Sequence, residues 1–363
     1  MITSLIASSG LRRLFEEFSY ILAAVITGLS LGCLLGFAVG EDPLKVLQII
    51  LDGAFGTPYD IGMVIYFTSI LLATGLSVAV PFQCGNFNIG SEGQTLIGAF
   101  AAGLVGAYSP DYLPCFFAVF LAFGSAILAA GLWGAIAAAI RAFRGGHEVI
   151  SSIMLNFLAA GITSWGVSTF LQAPDSQNPE MPLIHEAFRL HRFVIFDGAP
   201  ATLGIFIAFG CLILFWLVLN KLSSGFRMKV MRISASAALV AGYKQKKIIF
   251  WAFTLGSAAC GIAGAAMVLG ESWRFRLDMS DGFGFLGIAV ALLGRGRPIG
   301  IIFSAMLFAI LHHGSSLLDI ESQKIGRDLA QVIEAFVVLS VISLPPMLHL
   351  MFYRKHSATV GSH

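Results

Sequence analysis

Charge is what this sequence has least of. Only 12% of its 363 residues are Asp, Glu, Lys or Arg, where a soluble domain carries roughly a quarter. With 57% apolar residues and a mean hydropathy of +0.85, the composition excludes an ordinary soluble domain and implies a polytopic membrane protein. A net charge of +2, with no basic tract interleaved with aromatics, excludes a nucleic-acid partner. The five cysteines, Cys33, Cys84, Cys115, Cys211 and Cys260, lie in or beside apolar runs at no paired short spacing. Neither a zinc site nor a disulfide framework is expected, and the cysteines read as small buried hydrophobes. No G-x-x-x-x-G-K-[ST] phosphate cradle occurs, His147-Glu148 lacks the second His of a metalloprotease helix, and no Ser sits in a nucleophile elbow. An enzyme is therefore not expected, and the chain has no nucleotide or metal cofactor of its own. The first apolar run, about 18–39, is too long for a cleaved signal peptide and lacks an Ala-x-Ala site.

What is present is organised around residues 81–94, PFQCGNFNIGSEGQ, a glycine-broken polar interruption between the apolar runs 61–80 and 95–105. Backbone freed within a bilayer must be buried in protein or line a cavity, which is how discontinuous helices build transport sites. Ser91, Glu92, Gly93 and Gln94 have capping-box spacing, so a helix is expected to restart near Ser91 with Glu92 at its positive end. Further on, Glu148, Ser152 and Asn156 recur at i, i+4 and i+8, with Thr163 in line, placing one polar face on an otherwise apolar span. The expected lining of a translocation path is Asn88, Glu92, Gln94, Glu148, Ser152 and Asn156. The alternative is that Ser91 and Gln94 cap the helix while Glu92 and Asn156 bond neighbouring helices. Phe82, Phe87, Trp273 and Phe275 each flank a glycine-broken stretch and are expected to offer stacking faces, with interfacial anchoring as the competing role of Trp273.

Ten spans are expected, at about 18–39, 60–80, 91–108, 115–140, 147–171, 201–219, 248–269, 285–293, 299–317 and 328–350. The eighth is short enough to be broken or re-entrant. A short interfacial helix is expected within 41–59, and Ala252, Gly256, Cys260 and Gly264 form a small-residue packing seam. Placing the amino terminus in the cytoplasm leaves Lys45, Arg189, Arg192, Arg274, Arg276, Lys324 and Arg327 outside, about a third of the 22 basic residues. Spans two to five and seven to ten then begin on opposite sides of the membrane, each set with a polar break after its first helix, the arrangement of an inverted repeat. The fold class is thus an all-α polytopic membrane protein with broken or re-entrant segments. It forms one transmembrane domain over 1–363, with a cytoplasmic arm at 1–17, an external loop at 172–200 and a cytoplasmic loop at 221–247.

Four blocks carry a family resemblance: FNIGSEGQTLIGA from Phe87, GGHEVISSIMLNFLA from Gly145, SSGFRMKVMRISASAALVAGY from Ser223 and GFGFLGIAVALLGRGRPIGIIFSA from Gly282. In this order, over roughly 20–350, the chain resembles permease subunits of bacterial ATP-binding cassette importers, nearest to those for nucleosides, purines or simple sugars. The resemblance implies ATP bound by a separate ATP-binding subunit, a second homologous permease or second copy, an extracytoplasmic substrate-binding protein, and the bacterial cytoplasmic membrane. It also implies a coupling helix centred on Ala235, Ala237, Ala238, Ala241 and Gly242 that docks on the ATP-binding subunit. The chain departs from the family where a Gly-Glu-Asn-like segment is replaced by Met231-Arg-Ile-Ser234. The competing function is an ion-coupled secondary transporter or channel with Glu92 and Glu148 as coupling carboxylates.

Overall fold

The computed structural model describes residues 42–318 apart from Asp111, Asp175 and Asp278, together with Ile26, Ser30, Leu34, Phe37, Gly40, Val332, Ala335, Phe336 and Leu339. Apart from those isolated positions, the expected first and tenth spans lie outside the described residues. Eleven helices are described: α1 (Pro43–Phe55), α2 (Pro58–Phe82), α3 (Ser91–Tyr108), α4 (Cys115–Arg144), α5 (Glu148–Gly166), α6 (Gly204–Lys221), α7 (Ser223–Ile233), α8 (Ala235–Val240), α9 (Gln245–Ala266), α10 (Phe283–Leu293) and α11 (Pro298–Ser316). Two π-helical turns, Val167–Leu171 and Met267–Ser272, extend α5 and α9. Among the described residues there is no strand beyond two isolated bridges, Glu180 with Arg276 and Arg192 with Thr202.

The chain forms two compact units, one of residues 1–57 with 310–363 and one of Pro58–Ala309. In the first, Asp42 caps α1 by accepting from the Leu44 amide at 3.0 Å, and Val46, Ile49 and Ile50 pack with Leu318. This is the short helix expected within 41–59.

The second unit is built on two central helices. The apolar stretch of α2 is 78% buried and that of α9 with its π turn 83%, against 33% for α4 and α5 and 28% for α6. Helix α9 packs most extensively on α4 and also on α2 and α3, while α10 packs on α2. Outward faces such as Phe116, Phe120 and Leu128 of α4 are exposed apolar surface, which a bilayer covers without a penalty. Cys84 and Cys260 are buried as expected, but Cys115, at the start of α4, is exposed.

Six described helices are long and apolar enough to cross a membrane, α2, α4, α5, α6, α9 and α11, fewer than the ten expected. Of the ten, the first and tenth lie outside the described residues, and two more fall short for a physical reason: α3 begins in the polar break and α10 is only 11 residues long, too short for a 30 Å hydrocarbon layer. The expected eighth span is therefore a broken helix.

The seam on α9 forms as read. A Cβ on Gly264 would lie 2.4 Å from the Ala99 amide nitrogen of α3, and one on Gly256 would lie 2.9 Å from the Ser77 carbonyl oxygen of α2. Where α3, α4 and α9 cross, a Cβ on Gly261 would stand 2.3 Å from the Ala126 carbonyl oxygen. Gly261→Leu is expected to destabilise the purified protein by about 3 kcal/mol or more through overpacking, read as a lowered unfolding temperature in detergent. Gly210→Leu, with nothing within 4 Å of its Cβ, serves as the neutral control. Equal unfolding temperatures for the two variants would contradict this packing.

Candidate functional site

The two interrupted helices meet. Helix α3 starts at Ser91 after Gly90, and α10 starts at Phe283 after Gly282. The Glu92 carboxylate lies between them, Oε1 accepting from the Gly282 amide at 3.1 Å and Oε2 from the Gly284 amide at 2.8 Å. A Cβ on Gly284 would fall 2.2 Å from the Glu92 nitrogen, so the two first turns touch backbone to backbone. Both helix starts present unpaired amides and a positive dipole end, which a carboxylate complements.

The meeting point lies beside the interior of α2, not at its tip. The Ser91 and Ser77 hydroxyls are hydrogen-bonded, and Ser77 precedes the last residue of α2, Phe82, by about 7 Å along the axis. The Asn88 amide donates to the Ser77 carbonyl at 3.1 Å. After α2 ends, the chain therefore turns back alongside it before α3 begins.

The expected Ser91/Gln94 capping box does not form. Gly90 is the cap residue and makes no side-chain cap bond. Gln94 instead pairs reciprocally with Asn88: Asn88 Nδ2 donates to Gln94 Oε1 at 3.0 Å, and Gln94 Nε2 donates to Asn88 Oδ1 at 3.2 Å. The first-turn donors are satisfied from elsewhere, Gly90 N by Asn88 Oδ1 at 2.9 Å and Gly93 N by Asn156 Oδ1 of α5 at 2.9 Å. The helix start is buried between neighbours, so tertiary acceptors take the place of local ones.

The polar face of α5 turns toward this break. Asn156 Nδ2 donates to the Ile89 carbonyl at 2.9 Å, and Ser152 Oγ accepts from the Ile89 amide at 3.3 Å. Glu148 pairs with Arg141 Nε at 3.2 Å, and the same nitrogen donates to Asn86 Oδ1 at 3.1 Å. Thr163 is buried but bonds back to its own helix at Ala159. Asn88, Ser91 and Ser152 are 0% exposed and Gln94 1%, and burial at that level requires the partners they have. Glu92 and Glu148, the carboxylates of the ion-coupling alternative, are engaged by amides and by a guanidinium. Sequence reading missed Ser77 and Ser257, single hydroxyls within apolar runs. The Ser257 hydroxyl is buried without a partner, next to Gly134, whose Cβ would also lie 3.3 Å from Gln94 Nε2.

The four expected aromatics fall into two groups. Phe82 and Phe87 meet edge to face at 6.5 Å beside the start of α3. Phe275 packs on Phe100 and against Gly103, about 16 Å further along α3 than Glu92. Trp273, with φ 53°, carries the Arg192 and Arg189 guanidinium groups at 4.5 and 5.1 Å from its ring centre. The segment 172–203 closes this end. Leu190 N donates to the Leu269 carbonyl, and Arg192 donates to the carbonyls of Gly270 and Glu271 at 3.0 and 2.6 Å, which places a cation on the negative end of α9. Met181 N and Ile184 N donate to the carbonyls of Phe275 and Trp273, and Arg274 pairs with Glu180.

The loop 221–247 holds α7 and α8. Ser234 caps α8, its hydroxyl accepting from Ala237 N at 3.2 Å. Ala235, Ala237, Ala241 and Gly242 are exposed, but Ala238 is fully buried against Cys84, Met228, Met231 and Ala252 of this chain. The outward apolar side chains are Ile233, Leu239 and Val240, at 86%, 67% and 90% exposure. In the sequence they stand among small residues and form no pattern of their own.

Glu92→Ala leaves two amides at the α10 start without their acceptor and is expected to cost about 1–3 kcal/mol. Glu92→Gln, which retains one acceptor oxygen, should cost less. Thermal unfolding of the purified variants checks the order Ala below Gln below wild type, and a Glu92→Ala variant as stable as wild type would remove the carboxylate from this role.

Residues 60–342 match the model of a family described as branched-chain amino acid transport system / permease component. A guanosine ABC transporter permease of Bacillus subtilis is 32% identical over 89% of this chain and 92% of its own length. A nucleoside ABC transporter permease of Lactococcus lactis is 28% identical over 88% of this chain and 89% of that protein. A glucose ABC transporter permease of Haloferax volcanii is 27% identical over 88% and 85%. No solved structure matches. With residues 60–342, most of its length, covered by that family model and a relative 32% identical over 89% of it, the chain belongs to the branched-chain amino acid transport system / permease component family.

Proposed function

We propose that this chain forms the translocation path of an ATP-binding cassette importer and passes a nucleoside, driven by a separate ATP-binding subunit. The observation that carries the reading is the meeting of two interrupted helices at Glu92 inside a bundle of membrane spans, the architecture that transport proteins place at their substrate path. Similarity to guanosine and nucleoside permeases supports a nucleoside over a sugar. In this reading Phe87, Asn88, Glu92, Gln94, Glu148, Ser152 and Asn156 belong to the closed inner part of the path. Their mutual hydrogen bonds give way to substrate when the two half-helices part, and Trp273 stands at the outer mouth. The chain has no catalytic or cofactor site; ATP belongs to its partner. A second permease and an extracytoplasmic binding protein complete the assembly in the cytoplasmic membrane, with both termini in the cytoplasm.

The exposed trio Ile233, Leu239 and Val240 around α8 is the surface offered to the ATP-binding subunit, with Ala235, Ala237, Ala241 and Gly242 allowing close approach. Ala238 supports the helix from beneath. Burying an aliphatic side chain at such a contact is worth about 1.5–3 kcal/mol, so Leu239→Asp and Val240→Asp together should reduce co-purification of the ATP-binding subunit more than tenfold while membrane insertion persists. Guanosine uptake by the reconstituted complex should be abolished by vanadate and unaffected by an uncoupler. Uptake that survives vanadate and collapses with the uncoupler would establish the ion-coupled alternative.

A further inference from the structure

The turn between α2 and α3 contacts four other parts of the unit. Beneath it lie the two helices of the 221–247 loop. The Arg232 guanidinium sits 4.2 Å over the Phe82 ring, and a Cβ on Gly85 would be 3.8 Å from Arg232 Cα. Cys84, 4% exposed, is packed among Met228, Met231 and Ala238. Above it, Asn88 pairs with Gln94 in the first turn of α3. To one side, Gln83 Nε2 donates to the Gly296 carbonyl at 2.8 Å, in the turn that joins α10 to α11. To the other, Asn86 Oδ1 accepts from Arg141 in the last turn of α4.

We propose that Arg232 and Phe82 are positioning residues that transmit the movement of α7 and α8 to the broken ends of α3 and α10, with the turn 82–88 as the lever and Gln83 as its link to the α10 side. The inference rests on the reading that α8 receives the ATP-binding subunit, and it adds the route by which that subunit's movement reaches Glu92. The chemistry suits the task. A guanidinium over a ring face is held by attraction to the ring rather than by a directional hydrogen bond, so the contact persists through small shifts of either partner. Beside this contact, Cys84 of the turn is buried in one apolar cluster with Met228 and Met231 of α7 and Ala238 of α8, so a shift of either helix bears on the turn. Neither Arg232 nor Phe82 is buried within the Asn88, Glu92 and Gln94 cluster, and neither belongs to the outward trio Ile233, Leu239 and Val240.

The test uses the whole complex with its ATP-binding subunit and binding protein, in proteoliposomes, with guanosine as probe. Arg232→Gln and Phe82→Leu are expected to retain the ATP-binding subunit at the wild-type ratio and to keep basal ATP hydrolysis. Stimulation of hydrolysis by the loaded binding protein, and uptake per ATP, should each fall by about threefold or more. Arg232→Lys and Phe82→Tyr, which keep a cation and a ring, should restore both. Maleimide labelling of Cys84 supplies a readout that a purely structural role would not move: its rate should change on trapping the complex with ATP and vanadate in wild type, and stay at the nucleotide-free rate in Arg232→Gln. Wild-type stimulation and wild-type labelling change in both variants would overturn the proposal. Loss of co-purification in Arg232→Gln would also overturn it, by making Arg232 part of the docking surface. The docking reading fails separately, through Leu239→Asp with Val240→Asp leaving co-purification intact.

Discussion

One carboxylate between two helix starts governs the arrangement. A helix that begins inside a membrane protein exposes amides that water cannot reach, and two such starts brought together would repel through their positive ends. Glu92 resolves both difficulties, because it belongs to the first turn of α3 and accepts from the first turn of α10. With that contact made, α10 lies along α2 and the break before α3 folds back beside Ser77. Asn156 and Ser152 then come within reach of Ile89 and Gly93.

The two ends of the second unit are held by different chemistry. Toward α7 and α8 the contacts are side-chain to side-chain and small in area: Arg232 on Phe82, Cys84 on Ala238, Arg141 between Asn86 and Glu148. At the opposite end the segment 172–203 is tied by its own backbone to the carbonyls of Leu269, Trp273 and Phe275 and through Arg192 to Gly270 and Glu271. The first kind of contact shifts without exposing unsatisfied backbone, whereas the second cannot loosen without doing so.

Much of the architecture was legible in the sequence because apolar runs bounded by glycine, proline and arginine have one physical meaning in a membrane protein. The break at 81–94, the short helix that became α10, the end of α4 at Arg141 and Arg144, and the seam at Gly256 and Gly264 all follow from local composition. Partnerships did not, because they depend on residues far apart in the chain. Capping-box spacing located the start of α3 but not its caps, since the acceptor for Gly93 comes from Asn156, 63 residues on. Ser77 and Ser257 give no pattern of their own within apolar runs. The buried side of α8 depends on Cys84 and Ala252 packing against it, so in the sequence Ala238 is indistinguishable from its exposed neighbours and Ile233, Leu239 and Val240 carry no sign that they project.

The contact at Glu92 spans 190 and 192 residues of chain. At ordinary rates of synthesis, about 5–20 residues per second, α3 waits roughly ten to forty seconds before α10 is made. By the end of that interval the partners of Asn88, Gln94 and Asn156 have all been synthesised, while the amides that Glu92 accepts from have not. The contact between the two interruptions is thus among the last in this cluster that synthesis permits, and it closes only when α10 arrives.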